Sequence, residues 1–253
     1  MKLFVYPYKV TSKGAIKLAA ELGAKLIGRD VGNFDVPRAN SVVVNWGAGY
    51  LSSGSWPRAW LNKPEAIHNS AEKIRALIAF QREGVRTPEF TTNDNVARRW
   101  LHNGQTIVCR TTTTGMGGRG IVIARSGDTL ARAPLYTIHL GHDIEYRVHV
   151  FKGREIAVCE KIAKNVRADK MIRNHVRGWA FRTVFNYPRD VALQAINATH
   201  ALGLDFSAVD VGYKISNQRA YVFETNTSPG LEIPYVIRGY VNAIQTHAGE
   251  LGA

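Results

Sequence analysis

Apolar residues run without interruption from Leu3 to Tyr6 and again from Val42 to Val44, which predicts two buried strands, Lys2 to Tyr6 and Ser41 to Asn45. Between them, Ser12 to Leu22 carries its apolar residues at helical spacing and stops at Gly23. These elements predict a short βαβ-type unit. The stretch Gly47 to Pro64, rich in Gly, Ser, Trp and Pro, breaks the pattern and places a domain boundary near its end. Beyond it, Asn69 or Ser70 is the expected N-cap of a helix from Ala71 to Glu83, with Ile74, Leu77, Ile78 and Phe80 mostly on one side and Gly84 as its stop. A short strand is expected after Pro88, then a helix near Asp94 to His102 and a strand Thr106 to Arg110 that runs into the Thr- and Gly-rich segment Thr111 to Gly120. Further strands are predicted at Ile121 to Ala124, Leu135 to Leu140, Glu145 to Phe151 and Glu155 to Lys161. A basic segment, Lys164 to Arg182, separates these from a helix Asp190 to Leu202 and a closing hairpin. Strands joined in mixed hairpins rather than strict βαβ order predict an α+β (α/β) fold.

The closing hairpin carries the first candidate chemistry. Ala208 to Ile215 and Arg219 to Glu224 are β-rich and separated by Ser216, Asn217 and Gln218, which suits a three-residue loop. If Ile215 pairs with Arg219, Asp210 lies opposite Glu224, with Asn226 on the same face. Two facing carboxylates repel unless a positive charge lies between them. Two carboxylates and an amide oxygen form a hard ligand set that suits Mg2+, and a solvated face with unrelated acids is the plainer alternative.

The run Glu224-Thr-Asn-Thr-Ser-Pro-Gly-Leu-Glu232, preceded by Gly203-Leu-Asp-Phe-Ser-Ala-Val-Asp210, resembles the end of the ATP-grasp domain in ribosomal-protein glutamate ligases, glutathione synthetases and D-alanine ligases. The resemblance extends from about Asn69 to Glu232. It implies two α+β subdomains gripping ATP, residues 67–137 and 138–253, preceded by a small Rossmann-like unit, residues 1–66. It also implies that Asp210, Glu224 and Asn226 hold Mg2+, for which Mn2+ substitutes, and that Lys73 reaches the nucleotide phosphates. A second family lysine is replaced here by Arg110, which keeps the charge but has a different shape. Thr111 to Gly120 would form the lid over the triphosphate, with Thr114, Gly115, Gly117 and Gly118 meeting phosphate oxygens. Its spacing, Gly115-Met-Gly-Gly-Arg-Gly120, fits neither a dinucleotide fingerprint nor a Walker loop.

Glu145-Tyr-Arg147 resembles the family's acid-x-Arg strand, which implies that Arg147 contacts phosphate or acyl phosphate; an ion pair between Glu145 and Arg147 is the structural alternative. Arg173-Asn-His-Val-Arg177-Gly178 resembles the loop that covers the active site, which implies roles for Asn174 and Arg177. Adenine is expected near Leu135 to Leu140, with no side chain assigned. His139 and His142, with nothing further to complete a ligand set, are expected to be surface histidines. The implied reaction is ATP-dependent ligation of a carboxylate to an amine through an acyl phosphate. A non-catalytic nucleotide- or nucleic-acid-binding protein and an ATP-grasp kinase without ligation are the alternatives.

Composition narrows the setting. In 253 residues, 45% hydrophobic, there is material for a full core. Thirty-three Lys and Arg against twenty Asp and Glu give +13, which favours anionic partners: an acidic or phosphorylated small-molecule or peptide carboxylate, or nucleic acid. The basic residues are scattered and no nucleic-acid signature accompanies them. Two cysteines, Cys109 and Cys159, each within an apolar run, predict buried thiols and a reducing cytoplasm. No apolar run reaches the length of a membrane span, and no cleavable leader is evident.

Overall fold

The computed structural model describes residues 1–28, 40–50, 59–114 and 118–252. Three sheets organise them. The first is parallel, with order β2-β1-β3-β4 from β1 (Lys2–Pro7), β2 (Lys25–Leu26), β3 (Ser41–Trp46) and β4 (Ala59–Leu61). Helix α1 (Lys13–Leu22) begins where the Ser12 side chain accepts the Ala15 N–H and ends at Gly23 in the left-handed region, as its sequence predicts. Residues 51–58 of the expected boundary stretch lie outside the described residues.

The segment after β4 departs from the expected single helix. Pro64 opens α2 (Pro64–Ala71), and Glu72 breaks it and caps α3 (Lys73–Arg82) by accepting the Arg75 N–H. Asn69 and Ser70 are therefore inside α2 rather than at an N-cap. Ser70 bonds the Thr225 hydroxyl at 2.7 Å, so its polarity serves a tertiary contact. The second sheet, order β5-β8-β6-β7, consists of β5 (Phe90–Thr91), β6 (Ile107–Arg110), β7 (Ile121–Ala124) and β8 (Leu135–Ile138). It packs its inner face on α4 (Asp94–His102) through Ala97, Leu101, Ile107 and Tyr136.

The third sheet is antiparallel, order β11-β10-β9-β12-β13, from β9 (Ile144–Phe151), β10 (Arg154–Ala163), β11 (Trp179–Thr183), β12 (Phe206–Lys214) and β13 (Arg219–Asn226). Alternation gives it two distinct faces. Tyr146, Val148, Val150, Val209 and Val211 pack under α5 (Arg189–Ala201) and α3. On the other face Phe151, Ala157 and Phe206 lie under the final helix, α6 (Pro234–Gly252), while Glu145, Arg147, Lys161 and Asp210 continue that face as a charged surface.

Neither β11 nor α6 was legible in the sequence pattern. α6 carries Gly239 in its interior, which lowers helix propensity. A Cβ there would come 2.9 Å from the Ile156 carbonyl oxygen, so the glycine permits close packing on β10. The first unit shares this core: Trp46 of β3 stacks on Phe206 at 5.4 Å and meets Tyr240 edge-on at 5.3 Å. Buried Asn62 joins the same two parts, accepting the Asp205 and Phe206 N–H groups at 2.8 and 3.1 Å and donating to the Phe206 carbonyl at 2.9 Å. Cys109 and Cys159 are buried and unlinked, in different sheets. Among the described residues no helix is long and apolar enough to cross a membrane.

Candidate active site

The hairpin β12–β13 reaches its geometry by a route the sequence arithmetic missed. Its loop has four residues, Ile215 to Gln218, with Gln218 in the left-handed region, and Lys214 rather than Ile215 pairs with Arg219. Val211 accordingly pairs with Val222. The register then shifts at Phe223, and Asp210 pairs with Glu224 after all. Two one-residue differences cancel at the residues that matter. The bulge also inverts parity: Ala220 and Val222 face the α5 core, while Glu224 and Asn226 turn to the charged face with Asp210. Phe223 lays its ring over Gly212, where any Cβ would collide with it.

Cross-strand pairing places Glu224, Asp210, Arg147, Cys159 and Thr183 in one row across the sheet. Arg147 donates to both carboxylate oxygens of Asp210, at 2.6 and 2.9 Å, and its guanidinium lies 4.4 Å from the centre of the Phe181 ring. Burial opposes the charge on each partner, and the pairing outweighs it: the Asp210 carboxyl is held below the usual carboxylate range and the Arg147 pKa is raised. The Glu145–Arg147 ion pair, the structural alternative, is absent among the described residues. Glu145 instead bonds His142 at 3.2 Å and Lys161, while Arg147 serves Asp210.

Glu224 collects cations from outside its own sheet. Lys73, the first residue of α3, reaches its carboxylate at 3.0 Å. The Lys73 backbone N–H also bonds the Thr113 carbonyl, tying α3 to the start of the glycine-rich segment. Arg110 ends β6; burial lowers its pKa, and the charge of Glu224 acts against that shift. Asp210, Glu224 and Asn226 fit a hard divalent cation. The two carboxylates face each other and the Asn226 amide, whose oxygen is a hard donor, lies on the same face; its buried nitrogen has no hydrogen-bond partner among the described residues.

The remaining expected residues divide. Thr111 closes the base of the lid by bonding Gly120 through both its N–H and its hydroxyl. Thr114 is exposed, Gly118 lies against Asn174 and Ile172, and Gly115 and Gly117 lie outside the described residues. Asn174 thus joins the basic loop to the lid. Arg177 pairs with Asp169 within its own loop and is 43% exposed. His139 and His142 are 6.3 Å apart by ring centroids; His142 meets the Phe223 ring at 4.9 Å and Glu145 at 3.2 Å, so its side chain is buried rather than on the surface.

Lys161 was missed by sequence reasoning. It is buried among Glu145, Asp210 at 3.9 Å and the Arg173 carbonyl at 2.8 Å. The available signal was a lysine alternating with Cys159 and Ala157 on one face of an apolar strand. His149 was missed as well. It is buried, 3.2 Å from the Tyr240 hydroxyl, and burial, with Arg147 second, pushes its pKa from the ordinary 6.5 down to about 3. The unfolded chain binds that proton near 6.5 and the folded chain only near 3. Its contribution is therefore full above the unfolded value and declines as pH falls, by about 1.4 kcal/mol per unit. Thermal unfolding between pH 7 and pH 5 should show this slope, and His149→Phe should flatten it. Equal slopes would remove His149 as the cause.

No family model matches the chain. It is 28% identical over 229 residues to a probable alpha-L-glutamate ligase of Enterobacter sp. (strain 638), covering 81% of this chain and 72% of that protein. It is 27% identical to the ribosomal protein bS6–L-glutamate ligase of Salmonella paratyphi B, with the same coverage. Among solved structures, the ATP-grasp ligase PsnB, complexed with a phosphomimetic variant of its minimal precursor, Mg and ADP, matches with a TM-score of 0.70 at 12% identity over 97% of this chain and 98% of that one. The D-alanine–D-alanine ligase of Bacillus anthracis matches with a TM-score of 0.67 at 12% identity over 99% and 98%. By fold the chain is an ATP-grasp protein, and by sequence it is similar to the carboxylate–amine ligases of that superfamily.

Proposed function

We propose that the chain is an ATP- and Mg2+-dependent ligase that activates a carboxylate as an acyl phosphate and joins it to an amine. The observation that carries this reading is the facing pair Asp210 and Glu224, with Asn226 beside it, ringed by Lys73, Arg110, Arg147 and Lys161. Phosphoryl transfer needs mainly positioning and charge stabilisation, which such a set supplies.

Asp210, Glu224 and Asn226 would hold the metal, whose chemistry is to neutralise charge on phosphate oxygens. Lys73 and Arg110, from the first subdomain, bind the nucleotide phosphates from the side opposite the sheet. Arg147, fixed by Asp210, presents its remaining N–H groups to the oxyanion that develops on the acyl carbonyl as the amine attacks the acyl phosphate. The amine nitrogen then attacks the acyl carbon, phosphate leaves, and the amine proton passes to solvent or phosphate. The lid, held to the basic loop through Gly118 and Asn174, keeps water from the acyl phosphate. Adenine would lie near Leu135 to Leu140, along β8. The products are ADP, phosphate and an amide.

Substrates of this reading are a small-molecule or peptide carboxylate and an amine, with an acidic chain favoured by the charge of +13. The glutamate ligases and the peptide-bound PsnB among the similar proteins support both halves. Buried thiols suit a reducing cytoplasm. The test is phosphate release from ATP with pooled carboxylates and amines: release that needs both pools and Mg2+ is expected, with Mn2+ substituting. ADP and a phosphorylated product formed without any amine would indicate a kinase, and no ADP with any pool would leave a binding protein.

Arg110 permits a finer test. Arg110→Lys should keep release within about tenfold, whereas Arg110→Ala should lower it roughly 100-fold, because charge at this position matters more than the fork. Loss of activity in the lysine variant equal to that in the alanine variant would assign Arg110 a bidentate contact instead.

A further inference from the structure

We infer that the free edge of β11 is a docking strand for an extended acidic peptide, which would add to the third sheet as a sixth strand. The inference names the substrate class of the proposed ligase and rests on that reading for its purpose, though its geometry is independent of it. Lys164 donates to the Gly178 carbonyl and Val184 to the Val158 carbonyl, so residues 178, 180, 182 and 184 direct their backbone groups toward β10. Phe181 and Thr183 direct theirs away from the sheet. Among the described residues no strand pairs with that side of β11. These outward N–H and C=O groups form a template for backbone pairing.

The position suits a substrate. Thr183 lies in the same row as Arg147, Asp210 and Glu224, so an added strand would be three strand spacings from Arg147, roughly 14 Å. A chain paired there needs only a short turn over Phe181, whose ring already touches Arg147, to bring a terminal carboxylate or side chain to the site.

Charge selects the occupant. Lys164, Arg167 and Lys170 are exposed in the loop leading into β11, and Arg182 is 61% exposed on the strand itself. A second copy of so basic an edge would be repelled, whereas an acidic chain is attracted. Apolar contacts flank the edge: Val166 and Val176 are 100% and 90% exposed in the preceding loop, and Phe185, 77% exposed, stacks edge-on against Tyr235 beyond the strand. An alternating chain of acidic and apolar residues matches this arrangement.

The test measures binding of a fluorescein-labelled peptide of alternating Glu and Val, against its Lys and Val counterpart, to the full chain without nucleotide. The acidic peptide should bind and the basic one should not. Thr183→Pro removes one outward N–H while leaving the β10 ladder intact, a change tolerated on an edge. It should weaken binding roughly five- to tenfold, the value of one backbone hydrogen bond. Joint replacement of Lys164, Arg167 and Lys170 by Glu should weaken it by more than about tenfold. Circular dichroism and Mg2+-ADP binding check that each variant is folded. Equal binding of both peptides, acidic-peptide binding unmoved by both variants, or self-association that Thr183→Pro abolishes would overturn the inference. None of these outcomes touches the ligase reading, which stands or falls on phosphate release.

Discussion

Replacing Glu224 by alanine is expected to lower Mg2+-dependent phosphate release by roughly 10²- to 10³-fold, the cost of removing one preorganised charge-stabilising group. The fold should survive, because the Glu224 side chain is 34% exposed and its removal opens no cavity. The loss should be electrostatic: Lys73 and Arg110 keep their positions, but the anion that gathers them with the metal is gone. Raising Mg2+ should recover part of the rate if the carboxylate is a ligand. Release that continues at the original rate would remove Glu224 from the site and, with it, the ligase reading.

Asp210→Ala should act on stability as well as on activity. It strips a largely buried guanidinium of its bidentate partner, and breaking such a pair from one side costs up to about 3–5 kcal/mol. For a chain of this size that lowers the melting temperature by roughly 10 °C. The double replacement Arg147→Met with Asp210→Leu should regain much of the stability and none of the activity, since an apolar pair leaves no uncompensated charge. Melting temperatures of the single and double variants decide the matter, and a double variant no more stable than the single would refute the buried-charge account. Asp210 has a depressed pKa, so its stabilisation is present above the ordinary carboxylate value and is lost as pH falls through the folded one. Acid unfolding of the wild-type chain should therefore be steep below about pH 4.

The parts of the fold that were legible in sequence are those where local periodicity and burial agree. Helix α4 occupies the expected Asp94 to His102, and Ser12 and Gly23 bound α1 as caps should. β9 and β10 emerge close to their predicted spans. Where tertiary contacts override local preference, the pattern was silent: β11 lies in a basic segment whose arginines conceal Trp179 and Phe181, and α6 tolerates Gly239 because of its close approach to β10. Glu72 as a helix cap separating two helices is similarly a choice the apolar spacing of Ile74, Leu77 and Phe80 does not reveal.

The candidate site was legible through its charges. Asp210, Glu224 and Asn226 announced themselves as acids and an amide at the same parity, and Lys73, Arg110 and Arg147 join them in space. Lys161 escaped because a single lysine in a strand usually reaches solvent, and here its burial depends on Glu145 of the neighbouring strand β9. Arg177 was expected at the site and is engaged by Asp169, because a loop with one acid among many bases satisfies that acid internally first.

The bulge at Phe223 has a consequence for anyone altering this chain. Residues added at the tip, between Ile215 and Gln218, would be absorbed in an exposed turn while the ladder below keeps its alignment, which makes the tip a tolerant point for grafting a tag or reporter. Deleting the one residue Phe223 would instead leave Glu224 directly after Val222 in a regular ladder, so Glu224 and Asn226 would stay on the charged face opposite Asp210 and Ala208, and only the ring that covers Gly212 would be lost.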